Sequence, residues 1–190
     1  MNLYIRLLLC ILKSIRAPKM SIMDTSVVRF HVLPNDLDFN MHMNNGRYLT
    51  IMDLGRLDML IRTGLVKRVT DGSHAPVAGA VQIRYRLPLT PFQAYDLETR
   101  LIYWDDEWAY FEQRFVIAKG KKAGAVAAIA TVKACLYDRV NKRRPVPSEF
   151  LKESGIEDVQ SPPITPFIEI WATAEQEMRK LTADKAKDKD

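Results

Sequence analysis

Acidic residues are missing from the first 20 positions, where Arg6, Lys13, Arg16 and Lys19 give a local charge of +4. The whole 190-residue chain carries only +5, so the remainder is close to neutral. The basic character belongs to the N-terminal segment, and the body offers no charge signature of a nucleic-acid binder. Cysteine is scarce: Cys10 and Cys135 stand alone, without metal-ligand spacing, which excludes a disulfide framework and suits a reducing compartment. A long uninterrupted apolar run is also absent. The opening stretch MNLYIRLLLCILKSIR is broken by Arg6 and Lys13, so it falls short of the roughly 20 residues that span a bilayer. It also lacks the small-residue cleavage site of a secretory signal. There is no internal repeat.

What is present is ample material for one core. Apolar residues make up 47% and charged residues 27% of the chain, which fits a single globular domain and excludes wholesale disorder or a polytopic membrane protein. At 100° per residue, Asn2, Arg6, Lys13 and Arg16 share a narrow face interrupted only by Leu9, and Leu3, Tyr4, Leu7, Leu8, Ile11, Leu12 and Ile15 cover the rest. This basic amphipathic helix has three open destinies: docking on the domain or on a dimer partner, attachment to a membrane surface through residues 1–17, or service as an uncleaved targeting element. Pro18 separates it from the body. The chain divides into residues 1–19 as this helix, 20–140 as the domain, and 141–190 as a linker, a helix and a charged tail. A cytoplasmic location, with peripheral contact at a membrane, is expected.

Within the body, residues 24–33 form a loosely alternating first strand, and Pro34 to Asn45 is polar and turn-prone. Residues 46–62 (GRYLTIMDLGRLDMLIR) are apolar around more than half the helical circumference, so the helix is largely buried. Gly55 permits close approach of another backbone, and Gly64 suits a C-cap. Strands follow at 76–87, 94–104, 108–118 and 123–138, read as a four-strand meander. On the first of these, Val77, Val81, Ile83, Tyr85 and Leu87 share one face and Gln82, Arg84 and Arg86 the other. Thr165 and Pro166 start a last helix over about 166–181, and the tail DKAKDKD ends the chain. One buried helix with a long antiparallel sheet to wrap it is an α+β layout.

The stretch from Pro34 to Tyr48 concentrates the chemistry: Asp36, Asp38, Asn40, His42, Asn44 and Asn45 lie within fifteen residues, just before the buried helix. Asp38, Asn40 and His42, at spacing i, i+2, i+4, can point the same way on extended backbone. If the segment curls into the helix start, they converge on a helix N-terminus, where backbone N–H groups and the dipole favour negative charge. An acid–base group beside such a site is the minimum for acyl transfer. The plainer alternatives stand beside this: Asn44 and Asn45 as helix caps, Asp36 as a turn stabiliser, and His42 as a structural side chain.

Asp38-x-Asn40-x-His42-x-Asn44-Asn45-x-x-Tyr48 resembles the signature of hotdog-fold acyl thioesterases, particularly the plant acyl-carrier-protein thioesterases, and shares its Asp and Tyr with the 4-hydroxybenzoyl-CoA thioesterase branch. A closer resemblance is to the thioesterase superfamily member six group. It is carried by Val32-Leu33-Pro34-x-Asp36-Leu37-Asp38, by His42-Met43-Asn44-Asn45-x-Arg47-Tyr48-Leu49, and by Trp104-Asp105-Asp106 with Tyr110-x-Glu112-x-Arg114-Phe115.

The resemblance implies a hotdog fold, a curved antiparallel sheet around one long central helix. It also implies a homodimer or dimer of dimers with the acyl site at the interface, and a hydrophobic N-terminal anchor in eukaryotic members. The implied reaction is hydrolysis of a fatty acyl-CoA or acyl-carrier-protein thioester to a free acid and a thiol. Asp38, Asn40 and His42 would be catalytic, with Asn44, Asn45, Gly46 and Tyr48 positioning the substrate. No metal or redox cofactor is implied, and coenzyme A or acyl carrier protein arrives as part of the substrate. Arg47, Arg84 and Arg86 are weak candidates for phosphate contacts; a solvated sheet face explains Arg84 and Arg86 as well.

One departure matters. The plant enzymes use a further acid on a later strand, whereas this chain has no Asp or Glu between Asp71 and Asp96. Gln82 is the nearest polar substitute. The departure keeps open a non-catalytic acyl-binding or membrane-associated protein as the rival reading. A hotdog dehydratase is a third, against which the Asp-x-Asn-x-His spacing speaks.

Overall fold

In a computed structural model that describes residues 2–187, the chain opens with helix α1 (Asn2–Arg16), followed by strand β1 (Ser26–His31) and a 3-10 turn at Pro34–Asp36. The long helix α2 (Asn45–Thr63) and a short α3 (Val66–Thr70) lead into β2 (His74–Tyr85), β3 (Ala94–Trp104), β4 (Ala109–Ile117) and β5 (Val126–Asp138). Helices α4 (Pro147–Glu153) and α5 (Pro166–Lys187) complete the chain. The tail expected from residue 184 is helical to Lys187, and its last three positions lie outside the described residues.

The five strands form one antiparallel sheet in the order β1-β3-β4-β5-β2. Only β3, β4 and β5 form a meander. The expected four-strand meander fails at β2, which pairs with β5 at the far edge, Gln82 opposite Thr131. The chain crosses the sheet as α2 and returns along the opposite edge, so β2 is separated from β3 although the two are consecutive.

Helix α2 fills the concave side of the sheet, burying Tyr48, Ile51, Met52, Leu54, Met59 and Ile61. Its close seat depends on Gly55, where a Cβ would fall 2.6 Å from both Leu97 Cδ2 and Thr99 Oγ1. The helix ends on Gly64, left-handed at φ 85, a conformation that costs glycine little. The outer face of the sheet is covered in part by α5. Tyr110 and Lys133, register partners on β4 and β5, meet Trp171 edge-on and Glu175 in an ion pair.

Helix α1 docks on this body with an unexpected side. Arg6, Cys10 and Ser14 are buried. Arg6 bonds both Asp36 carboxylate oxygens, Nη1 at 3.0 Å and Nη2 at 2.5 Å. Ser14 Oγ donates at 2.5 Å to Asp58 on α2, whose other oxygen accepts from Ser26 of β1. Tyr4, Ile5, Leu8, Leu9, Leu12 and Ile15 are left facing outward, between 39% and 75% exposed. The reading that grouped Arg6 with Lys13 and Arg16 as surface cations is corrected for Arg6, because the carboxylate of Asp36 holds it inside. Among the described residues no helix is long and apolar enough to cross a membrane, and both cysteines are free thiols.

Candidate active site

The loop between β1 and α2 is built on two neighbouring carboxylates with opposite environments. Asp36 is fully buried. Besides Arg6 it accepts the Leu33 N–H at 2.8 Å, and Arg47 lies 3.7 Å away. Its backbone carbonyl takes the Asn44 N–H, so Asp36 ties the loop to both α1 and the start of α2. It is the structural carboxylate of the pair.

Asp38 is half-buried and organises the tip of the loop. Its Oδ1 accepts the backbone N–H groups of Asn40 at 2.9 Å and His42 at 3.2 Å. Its own N–H donates to His42 O at 2.8 Å. Met41, at φ 57, closes this tight turn. Of the two conformations open to the Asp-x-Asn-x-His segment, the curled one is formed: Asp and Asn bend a chain readily because their side chains reach nearby backbone N–H groups. Asn40 is exposed, His42 half-buried, and Phe39 and Met41 project from the tip. Two N–H groups on one oxygen hold the Asp38 carboxylate in place, and no other hydrogen bond reaches it among the described residues.

Just beyond, Met43 is anchored by its N–H to Leu89 O, and Asn44 caps α2 by accepting the Gly46 N–H at 2.9 Å. The cap reading of Asn44 therefore holds, and one first-turn donor is occupied by it. Arg47 braces the loop through Asn35 O at 2.9 Å. Tyr48, in the second helical turn, packs edge-on against Tyr85 at 5.1 Å and Phe115 at 4.7 Å between ring centres. Burial, then the nearby Tyr85 hydroxyl and the Asp38 carboxylate, push its phenol up to about 12. Tyr48 thus keeps its proton at neutral pH.

Asp38, Asn40, His42, Asn44, Asn45, Gly46 and Tyr48 are therefore gathered at one end of α2. Gln82 is not. It is exposed, on the face of β2 opposite Ile83, which packs on the core, and Tyr85, which faces Tyr48. Strand alternation turns it away from the loop of its own protomer. The residue on β2 that does reach the site is Tyr85, whose hydroxyl donates to Asn45 O at 3.1 Å. Its place on the apolar face of β2 was legible, but its pairing with the helix start needed the crossover. Arg84 and Arg86 lie exposed on the strand and just after it.

Residues 32–159 match the Thioesterase-like superfamily. The chain belongs to that family. Protein THEM6 of Danio rerio is 33% identical over 156 residues, 82% of this chain and 73% of its own length. Protein THEM6 of Drosophila melanogaster is 37% identical over 110 residues, 57% of each chain, and the match covers 46% of its Xenopus laevis counterpart. The chain thus spans about half the length of these last two relatives. Thioesterase lcsJ of Purpureocillium lilacinum is 28% identical over 150 residues, covering 68% of this chain and 48% of that one.

Among solved structures, YbaW, a probable thioesterase from Escherichia coli, superposes with a TM-score of 0.61 at 21% identity, covering 71% of this chain and 99% of its own. A 1,4-dihydroxy-2-naphthoyl-CoA thioesterase from Synechocystis gives 0.59 at 12% identity, covering 72% and 98%. The fold is the hotdog fold, as the motif resemblance implied.

Proposed function

We propose that the protein hydrolyses a fatty acyl thioester, of coenzyme A or acyl carrier protein, to a free acid and a thiol. The observation that carries this reading is the Asp38 carboxylate, fixed by two backbone N–H groups at the lip of the α2 N-terminus in a chain of this family. Asp38 acts as general base toward water, or as nucleophile toward the acyl carbon. Asn40 and His42 orient water and the thioester. With the Asn44 and Gly46 N–H groups taken by Asp36 O and Asn44 Oδ1, the Asn45 N–H and the positive end of the helix dipole polarise the carbonyl. Tyr48, held protonated, contributes a hydroxyl beside Asp38. No metal or redox cofactor enters this scheme.

The working unit is at least a dimer. The edge strand β2 is 12 residues long and exposes Val77, Val81 and Tyr85, and a long apolar edge invites pairing. Antiparallel pairing of two β2 edges would bring the Tyr85 end of one, with its catalytic loop, beside the Val77 end of the other. The outward apolar stripe of α1, flanked by Lys13 and Arg16, makes peripheral contact with a membrane surface.

The deciding experiment measures thiol release from a panel of acyl-CoAs and matched acyl carrier proteins, with Asp38→Asn as the control. The substitution preserves size and removes the base, so turnover falls by about 10²–10⁴-fold with the melting temperature unchanged. Full activity in Asp38→Asn, or no turnover of any thioester by the native chain, sinks the reading.

A further inference from the structure

The loop that carries Asp38 is a miniature antiparallel ribbon. At its base the Asn44 N–H donates to Asp36 O at 2.8 Å. Leu37 and Met43 form the next bridged pair. The Asp38 N–H donates to His42 O at 2.8 Å, and Phe39, Asn40 and Met41 turn the tip. A two-stranded ribbon is marginal in water by itself, so its tip is placed only as well as its base is gripped.

The grip comes from outside the stretch that matches the family. Helix α1 precedes residues 32–159, yet its Arg6 guanidinium bonds both carboxylate oxygens of Asp36 and also gives Nη2 to His31 O at 3.0 Å. One planar group thereby sets the base of the ribbon against the end of β1. Asp36 Oδ2 in turn holds the Leu33 N–H at 2.8 Å, where the chain enters the loop. Arg47 does not duplicate this grip. Its Nε stays 3.7 Å from Asp36, its Nη2 is given to Asn35 O, and it sits on α2, directly continuous with the loop. Only Arg6 ties the ribbon to a separate element. Its fork geometry matters as well as its charge, because a lysine is a point charge that cannot bond both oxygens and the His31 carbonyl in one plane.

We propose that Arg6 is a positioning residue for the reaction at Asp38: by clamping Asp36 to the end of β1, it fixes the ribbon whose tip presents the Asp38 carboxylate. The chemistry it serves rests on the thioesterase reading. A merely structural role, holding α1 on the domain, has different consequences. Helix α1 has a second polar anchor, Ser14, which donates to Asp58, about 20 Å along α2 from the loop at 1.5 Å per residue. If docking of α1 were all that mattered, loosening either anchor would affect the site alike.

The full chain is compared with Arg6→Met, Arg6→Lys and Ser14→Ala by two measurements. One is kcat and KM for thiol release from an acyl-CoA. The other is the backbone amide NMR signals of Asn40 and His42, whose N–H groups bind Asp38 Oδ1. Because a misplacement of about 1 Å at a reacting group can cost about 10²-fold, Arg6→Met lowers kcat by about tenfold or more and leaves KM within about threefold. Both amide signals move with it. Arg6→Lys keeps the buried charges paired, so the fold stays testable, and its kcat falls between the two because the charge returns without the fork. Ser14→Ala leaves kcat and both signals at their native values. Native kcat in Arg6→Met, an equal loss in Ser14→Ala, or Asn40 and His42 signals that Arg6→Met leaves unmoved overturns the proposal. If the native chain releases no thiol from any acyl-CoA, the hydrolase reading falls by itself, and the amide signals alone decide whether Arg6 sets the turn at Asp38.

Discussion

Replacing Arg6 by Met tests how α1 is bound to the domain. The native guanidinium gives two charge-assisted hydrogen bonds to Asp36 and a third bond to His31 O at 3.0 Å. Asp36 is 0% exposed and the Arg6 side chain 9%. Met keeps much of the apolar stem but leaves the carboxylate buried with the Leu33 N–H and the more distant Arg47. Breaking one partner out of a buried pair costs about 3–5 kcal/mol, because the remaining charge cannot regain water. For a chain of this length that is a melting-temperature loss of roughly 6–20 °C. Arg47, at 3.7 Å, can swing closer and favours the lower end of the range. Urea denaturation of the native chain, Arg6→Met, Asp36→Asn and the double variant measures the coupling. The double variant, which leaves no buried charge, should be less destabilised than the sum of the singles by about 1–3 kcal/mol. A loss under about 1 kcal/mol for Arg6→Met, or strict additivity, would show that the ion pair does not hold α1 in place.

Light scattering on the full chain at micromolar concentration should report a dimer or larger, and Val81→Lys on the exposed β2 edge should shift it toward monomer; a native monomer removes the shared site from the account. Co-sedimentation with anionic vesicles should capture the native chain, weaken with salt, and be lost in Leu8→Glu, whose position is 58% exposed and makes no core contact. Vesicle binding that survives this charge in the apolar stripe points elsewhere. Stability should fall on the alkaline side. Tyr48 is raised from 10 to about 12 in the folded chain, so the unfolded chain gives up that proton first; its contribution is complete below pH 10 and lost as pH rises toward 12. Burial raises buried Tyr95 in the same direction. A urea midpoint that stays level from about pH 9 to 11, with no difference in Tyr48→Phe, would contradict this.

Local patterns determined the elements. Helix α2 was readable from its apolar circumference, its Asn cap and Gly64, and β2 from the alternation that puts Val81, Ile83 and Tyr85 on one face, because each of these signals acts within a few residues of chain. The cluster at Asp38, Asn40 and His42 was legible for the same reason: its turn is made by side chains reaching their own backbone. What the sequence left open was every choice settled by distant partners. Asp36 and Asp38 are the same residue type two positions apart, and only the arrival of Arg6 from α1 makes one structural and leaves the other at the lip of the helix. The side on which α1 docks went against its hydrophobic periodicity, because three polar or small side chains, Arg6, Cys10 and Ser14, find buried partners on other elements. The crossover places β2 at the sheet edge, where Gln82 faces away from the loop of its own protomer and Tyr85 meets Tyr48. The apolar pocket that Trp104 and Phe150 help to line draws on α2, the sheet and α4, positions far apart in sequence, so tertiary packing alone creates it.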